Sequence, residues 1–406
     1  MTHTVLPENR EVVISVGGSE ANINGFDSGA IQMAVELLKA HGGGTVKLEK
    51  GIYEICAPVR LAANITLAGA GEETILHKVD GFQSLFAEDA DYGELFIQVK
   101  DASGFREGMG IMVYDSHYDS AWDVSTAVIS KVEKNKITFD NYLIRDYDAD
   151  LSGTVSNACS VIEGVEVENV KITGLSIDGN GKNNDTLNGC RGGGIYIHKS
   201  KNCVVEDVKL RNFNGDGISW QIDENVTISA CDVSGCTGYG IHPGSGSLNT
   251  LVEKCDIHDN GSDGMFVCWR VQKSIFRNNS FRNNGGSGIC IGHKDTDNLF
   301  EQNRICENAF CGVYMRKEKA GNGAHRNRYM KNTIENNGSG ENGYGFVIDS
   351  YAEQISIEDN VISDTGGNRQ RIALLIRAET PDLKLERNVI SDHCGGNIIY
   401  RIAERP

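Results

Sequence analysis

From about Val165 onward the chain repeats itself. Seven segments open on a glycine followed by alternating apolar residues: GIYIHKS from Gly194, GISWQID from Gly217, GIHPGSG from Gly240, GMFVCWR from Gly264, GICIGHK from Gly288, GVYMRKE from Gly312 and GFVIDSY from Gly345. The first six glycines are 23, 23, 24, 24 and 24 residues apart. The last gap is 33, so one coil carries an insertion, roughly Lys317 to Asn327. A fixed period of this size, with period-2 alternation inside it, is the pattern of a solenoid. One turn cannot bury its apolar face alone, whereas stacked turns share a continuous core. A second ladder runs in step: Asn279, Asn303, Asn332, Asn360 and Asn388 each open a motif such as NTIENN, and Val208, Cys231 and Cys255 hold that place in earlier coils. Asn suits such turns because its side chain bonds neighbouring backbone and it tolerates left-handed φ. The pattern predicts an all-β chain folded as a right-handed parallel β-helix.

The remainder is expected to serve that stack. Residues 1–83 read as a cap and first coils. A helix is predicted over Ser28–Ala40, with Ile31, Val35 and Leu38 at helical spacing and Gly42-Gly43-Gly44 ending it. Residues 84–160 break the period and read as an inserted β-hairpin region, leaving 161–406 as the regular helix. Composition agrees with a turn-rich globular chain: 48 Gly but only 5 Pro, with 39% hydrophobic residues. The net charge of −17 argues against nucleic acid or an anionic membrane as partner. No run of 18 apolar residues exists to span a bilayer. The N-terminal MTHTVLPENREVVISV lacks a basic segment followed by an apolar one. With twelve scattered Cys and no CxxC, the expectation is reduced thiols in a cytoplasm, or secretion if a signal has been removed. No cofactor is identified, and oligomeric state is not readable.

Alternation also places side chains. In GICIGH the two Ile point inward, so Cys290 and Gly292 point out. The same register in every coil gives an outward row: Tyr196 and His198, Ser219 and Gln221, His242, Phe266 and Cys268, Tyr314 and Arg316, Val347 and Asp349. Just past it stand Lys199, Trp269, Arg270, His293, Lys294 and Lys317. Cations and aromatic rings gathered on one face of an acidic protein suit an anionic sugar chain. Arg holds a carboxylate bidentately, and Trp or Tyr offers a stacking surface.

Several stretches resemble known families. The D-x-x-AIQ-x-A…GGGTV…G-x-Y start resembles pectate-lyase-like β-helix enzymes. LSIDGN at Leu175–Asn180, GYGIHPG at Gly238–Gly244 and HDNGSDGM at His258–Met265 resemble the mannuronan C-5 epimerases. That family's GYGFDPH motif matches at Tyr239, while its Asp and His fall on His242 and Gly244, and a further acid falls near Cys268. Lys294, Asn298 and then Arg316 after Gly312 resemble the chondroitinase B and alginate lyase type, in which the Lys is the base and the Arg supports the substrate carboxylate. The His that follows that Arg is Lys317 here. These resemblances imply action on a uronate-containing oligo- or polysaccharide, and they admit a Ca²⁺ requirement for which spacing supplies no ligand set.

The chemistry expected is β-elimination next to a uronate, by a polysaccharide lyase. A base removes the proton α to the carboxylate, a cation neutralises the developing enolate and an acid serves the leaving oxygen. The candidates are Lys294 or His293 as base, Arg316 as carboxylate clamp, and His242 with Tyr239 as acid. Substrate contacts are expected from His198, Tyr196, Gln221, Trp269, Arg270, Tyr314, Lys317 and Asp349. Three alternatives remain at this stage. A C-5 epimerase shares the proton abstraction. A glycoside hydrolase needs a carboxylate pair, for which Asp349, Asp178, Asp223 and Glu318 are available. A carbohydrate-binding β-helix would have no turnover. Asp216 and Asp263, which precede repeat glycines, read as structural, and Asp295 and Asp297 serve equally well as turn residues.

Overall fold

The 23–24-residue period closes into a coil because each turn supplies short strands that lie against their counterparts one turn away. The structure, a computed structural model, describes residues 12–117, 122–319, 321–339 and 342–401. Among these, a 22-stranded sheet wraps two faces of the solenoid and an 11-stranded sheet forms the third. Within both sheets the pairings are parallel, as in Ile289↔Val313 and Ile275↔Leu299. The chain is therefore a right-handed parallel β-helix. The 11-stranded sheet carries the repeat motifs, from Val59–Arg60 and Ile162–Val165 through Ile195–His198, Ile218–Gln221, Ile241–Gly244, Met265–Val267 and Ile289–Ile291 to Cys311–Met315 and beyond.

Stacking fixes the core. Ile218, Ile241, Met265, Ile289, Val313 and Phe346 are all fully buried, each above its equivalent in the previous coil. A column of rings, Phe276, Phe300 and Tyr329, runs alongside with centroids 5.0 and 4.7 Å apart. Burying each such side chain contributes roughly 1.5–3 kcal/mol.

The Asn ladder lies inside. Asn279 N and Nδ2 both donate to Asn303 Oδ1, at 3.0 and 3.1 Å, while Asn303 Nδ2 donates to Phe276 O at 2.8 Å. Asn332, Asn360 and Asn388 continue the chain of bonds, and Cys255 N joins it below by donating to Asn279 Oδ1. The left-handed residue is the one just before each rung: Asn278, Gln302, Lys331, Asp359 and Arg387 have φ from 53 to 56°. A parallel ladder through Asn260, Asn284, Asn308 and Asn337 ends on Gln370.

The cap helix spans Ser28–His41, with the Asp27 side chain accepting from Ala30 N and Gly42 closing it at φ 100°. Ile31, Val35 and Leu38 face the core as the spacing predicts. The aperiodic region forms a separate six-stranded antiparallel sheet between Gln83 and Ser156, with its own core of Phe86, Ile111, Ile129, Phe139 and Tyr147. It meets the helix at Arg60, which pairs with Asp140.

Candidate active site

The outward row exists in the predicted order. Tyr196 pairs with Ser219, Ser219 with His242, Phe266 with Cys290, Cys290 with Tyr314, and Tyr314 with Val347. Neighbouring strands lie about 4.8 Å apart, so side chains meet from coil to coil.

Its centre is a buried pair. His242 Nδ1 lies 2.8 Å from Asp216 Oδ2, and both side chains are almost wholly enclosed. Asp216 Oδ1 accepts from Tyr239 N at 2.9 Å. A carboxylate only accepts, so Nδ1 carries the proton and Nε2 is left as the acceptor. Nε2 is buried and has no partner among the described residues. The pair is roofed by the segment around Gly189, where a β-carbon would stand 1.8 Å from Asp216 Oδ2. That segment is held down by Ser219 Oγ, which donates to Gly189 O at 2.5 Å.

Rings continue the site. Tyr239 and Phe266 stack at 4.1 Å with planes 4° apart, and each meets His242 edge-on, at 5.5 and 5.3 Å. The Arg316 guanidinium lies over the Phe266 ring, 4.4 Å from its centroid. Arg316 folds back over Gly292, donating to Val267 O at 3.1 Å. Asp295 is 3.8 Å away, and Arg316 Nη2 is buried without a hydrogen-bond partner among the described residues. Burial works against the charge on Arg316, but a guanidinium loses its proton only far above neutral pH, and Asp295 nearby favours the charged form. Burial raises the Tyr239 hydroxyl well above its ordinary value, which keeps it a proton donor.

The other predicted residues are distributed differently. Lys294 sits at a left-handed corner, φ 58°, with Lys199 and Arg270 at the equivalent corner of their coils at 51 and 61°. All three side chains are exposed, and no hydrogen bond or ion pair joins Lys294 to His242, Tyr239 or Arg316 among the described residues. Asn298, four residues on, is a buried rung: Ser274 N donates to its Oδ1 and its Nδ2 donates to Val271 O, both at 3.0 Å. His293 pairs with Glu318 at 3.1 Å and packs on Trp269 at 4.7 Å. Lys317 is exposed. Asp349 is tied to Tyr314 and Arg377, each at 3.2 Å, whereas Asp178 pairs with His77 on the other sheet, so these two carboxylates do not converge. Asp223 is buried, accepts from Ser200 N at 2.5 Å, and burial raises its pKa to about 8. Gln221 is fully buried with Oε1 unpartnered. Tyr196 and His198 lie at the start of the row, 5.8 Å apart and stacked.

Asp216 is the residue that the repeat pattern hides. It precedes its glycine just as Asp263 does, and only the coil-to-coil offset brings its carboxylate to His242. Among the described residues, no three His, Cys, Asp or Glu side chains gather as a metal centre.

A family model described as a right handed beta helix region matches residues 173–329. The chain is 26% identical over 258 residues to mannuronan C5-epimerase AlgE4 of Azotobacter vinelandii, covering 62% of this chain and 31% of that protein. The chain thus spans about a third of that relative's length. Among solved structures, the AlgE4 A-module of Azotobacter vinelandii superposes with a TM-score of 0.57 at 16% identity, covering 93% of this chain and 96% of that one. The polygalacturonase of Erwinia carotovora ssp. carotovora superposes with a TM-score of 0.55 at 14% identity, covering 98% and 99%. A tailspike protein, Dettilon gp208, gives 0.58 at 13%, covering 96% and 68%. These superpositions share the right-handed parallel β-helix.

Proposed function

We propose that this chain is a carbohydrate-active enzyme that removes the proton α to the carboxylate of a uronate residue in an acidic glycan. The observation that carries the reading is the Asp216–His242 pair, which presents an imidazole in the tautomer of a base beside the raised-pKa hydroxyl of Tyr239. His242 Nε2 takes the proton from the carbon. Arg316, held charged near the same face, neutralises the carboxylate as the enolate develops. In β-elimination the C–O bond to the leaving sugar then breaks, a C=C bond forms, and Tyr239 donates its proton to the leaving oxygen. His242 Nε2 and Arg316 Nη2 are enclosed, so productive binding requires the Tyr239–Phe266 stack or the Gly189 roof to open. Lys294, Arg270 and Lys317 serve as rim cations that draw the glycan in.

The second reading is C-5 epimerisation, supported by the sequence likeness to a mannuronan epimerase. It uses the same abstraction, and Tyr239 then returns a proton to the opposite face of the carbon. Incubation in D2O with a panel of uronate glycans tests the shared step. Rising ultraviolet absorbance, with the proton at that carbon lost and not replaced by deuterium in the product, supports elimination. Deuterium with inversion and no absorbance supports epimerisation. New reducing ends with neither absorbance nor deuterium would replace both with a hydrolase.

A further inference from the structure

At its first strands the outward face is walled in by residues from outside the repeat. There the inserted sheet stands over it. Arg60 pairs with Asp140 of that sheet and lies 3.7 Å from Glu163, the neighbour of Tyr196 in the row. Trp122 approaches His198 at 6.0 Å, and Arg191 Nε reaches across to donate to Trp122 O at 2.9 Å. Between these walls lies a cleft of about 400 Å³, lined by Arg60, Asp140, Glu163, Arg191, Tyr196 and His198 among others.

Two observations mark this cleft as built to hold something. The Arg191 guanidinium lies 5.1 Å from the Trp122 ring and bonds Trp122 O through Nε, and no carboxylate is within ion-pair distance of it among the described residues. Arg60, by contrast, is already neutralised by two carboxylates. His198 Nε2 is buried and unpartnered among the described residues. Burial is also the leading influence on both titratable neighbours: it pushes His198 down to about 4 and holds the Glu163 carboxyl above its ordinary value. At neutral pH the cleft therefore offers one unpaired guanidinium fork, a neutral imidazole and an aromatic face, a set matched to a carboxylate-bearing sugar ring.

We infer that this cleft is a terminal pocket: it binds the last uronate residue of the glycan through Arg191 and makes the enzyme act from a chain end. Tyr196 lies two strands from His242, about 10 Å along the row. A chain whose terminus is seated there presents a bond at a fixed, short distance to His242. The inference rests on the uronate reading above.

The test pairs two measurements on the full chain, each with Arg191→Ala and the charge-preserving Arg191→Lys. Size-defined uronate oligosaccharides, labelled at either end, are followed by chromatography from the first turnovers. The same oligosaccharides are titrated by calorimetry. The expected result is one short product, or one modified position, from the start, with affinity weakened by about tenfold or more in Arg191→Ala and partly kept in Arg191→Lys. Products of mixed size from the start, or unchanged affinity in Arg191→Ala, would overturn the pocket while leaving the reaction standing. Arg191-dependent binding without turnover would keep the pocket and remove the reaction. Neither binding nor turnover would remove both.

Discussion

Asp216 and His242 meet at 2.8 Å although 26 residues separate them, one coil and a few residues more. The carboxylate is fixed from both sides, since its other oxygen takes the Tyr239 backbone N–H. The imidazole is thus oriented by a group that is itself oriented, which is the arrangement a general base requires.

Asp216→Asn should abolish most turnover while leaving the fold intact. The amide oxygen stays with Tyr239 N, so the NH2 group faces Nδ1 and forces the proton onto Nε2. A loss in kcat on the order of a thousandfold is expected. Kinetics beside a thermal melt check this; an active, folded variant would remove His242 as the base.

Gly189→Ala should lift the roof. Its β-carbon would meet Asp216 Oδ2 at 1.8 Å and His242 Nδ1 at 2.6 Å. Relief comes by breaking the Ser219–Gly189 bond, at a cost of about 1–3 kcal/mol. Urea unfolding measures it, and an unperturbed midpoint would show that the segment accommodates the methyl without strain.

Asn303→Ala should be among the most damaging changes outside the site. It strips Asn279 N and Nδ2 of their acceptor and removes the Nδ2 bonds to Asn332 Oδ1 and Phe276 O in a dry interior, while Asn332 Oδ1 keeps the backbone N–H of residue 303. The expected loss is about 3–5 kcal/mol. Arg304→Ala, which removes an exposed pair with Glu335, should cost about 1 kcal/mol or less. Chemical denaturation of the two variants side by side decides it.

Asp223 predicts a pH dependence of stability. Its folded pKa of about 8 lies above the ordinary carboxyl value of 3.8, because burial disfavours the charged form. The folded state therefore binds more protons between those values, and this group's contribution falls as pH rises through that window. Asp223→Asn should flatten that fall in a melting-temperature series. A wild-type slope unchanged by the substitution would mean that the carboxyl titrates normally.

Period and alternation carried most of the fold to the reader of the sequence. The repeat glycines, the inner Asn rungs, the cap helix and the outward row follow from contacts between residues one coil apart, which a fixed spacing encodes. Lys294 shows the limit. Next to His293 in sequence, it stands apart because the chain turns through a left-handed corner, and the same corner in other coils holds Lys199 and Arg270. The wall over Tyr196 was not legible for a different reason. It depends on Arg60 meeting Asp140, a contact across 80 residues between a coil and an aperiodic insertion.

The Asn rungs have a consequence for how such a molecule can change. Between Asn298 and Asn327, and again between Asn303 and Asn332, the rungs stay bonded although the chain spends 29 residues on the turn instead of 24. The extra sequence falls between Lys317 and Arg326, and the rungs on either side keep their partners. Loop closure costs grow only slowly with length. The scaffold therefore behaves like a rack whose shelves can be refitted one at a time, and new rim segments can be grafted at that point without redesigning the shaft.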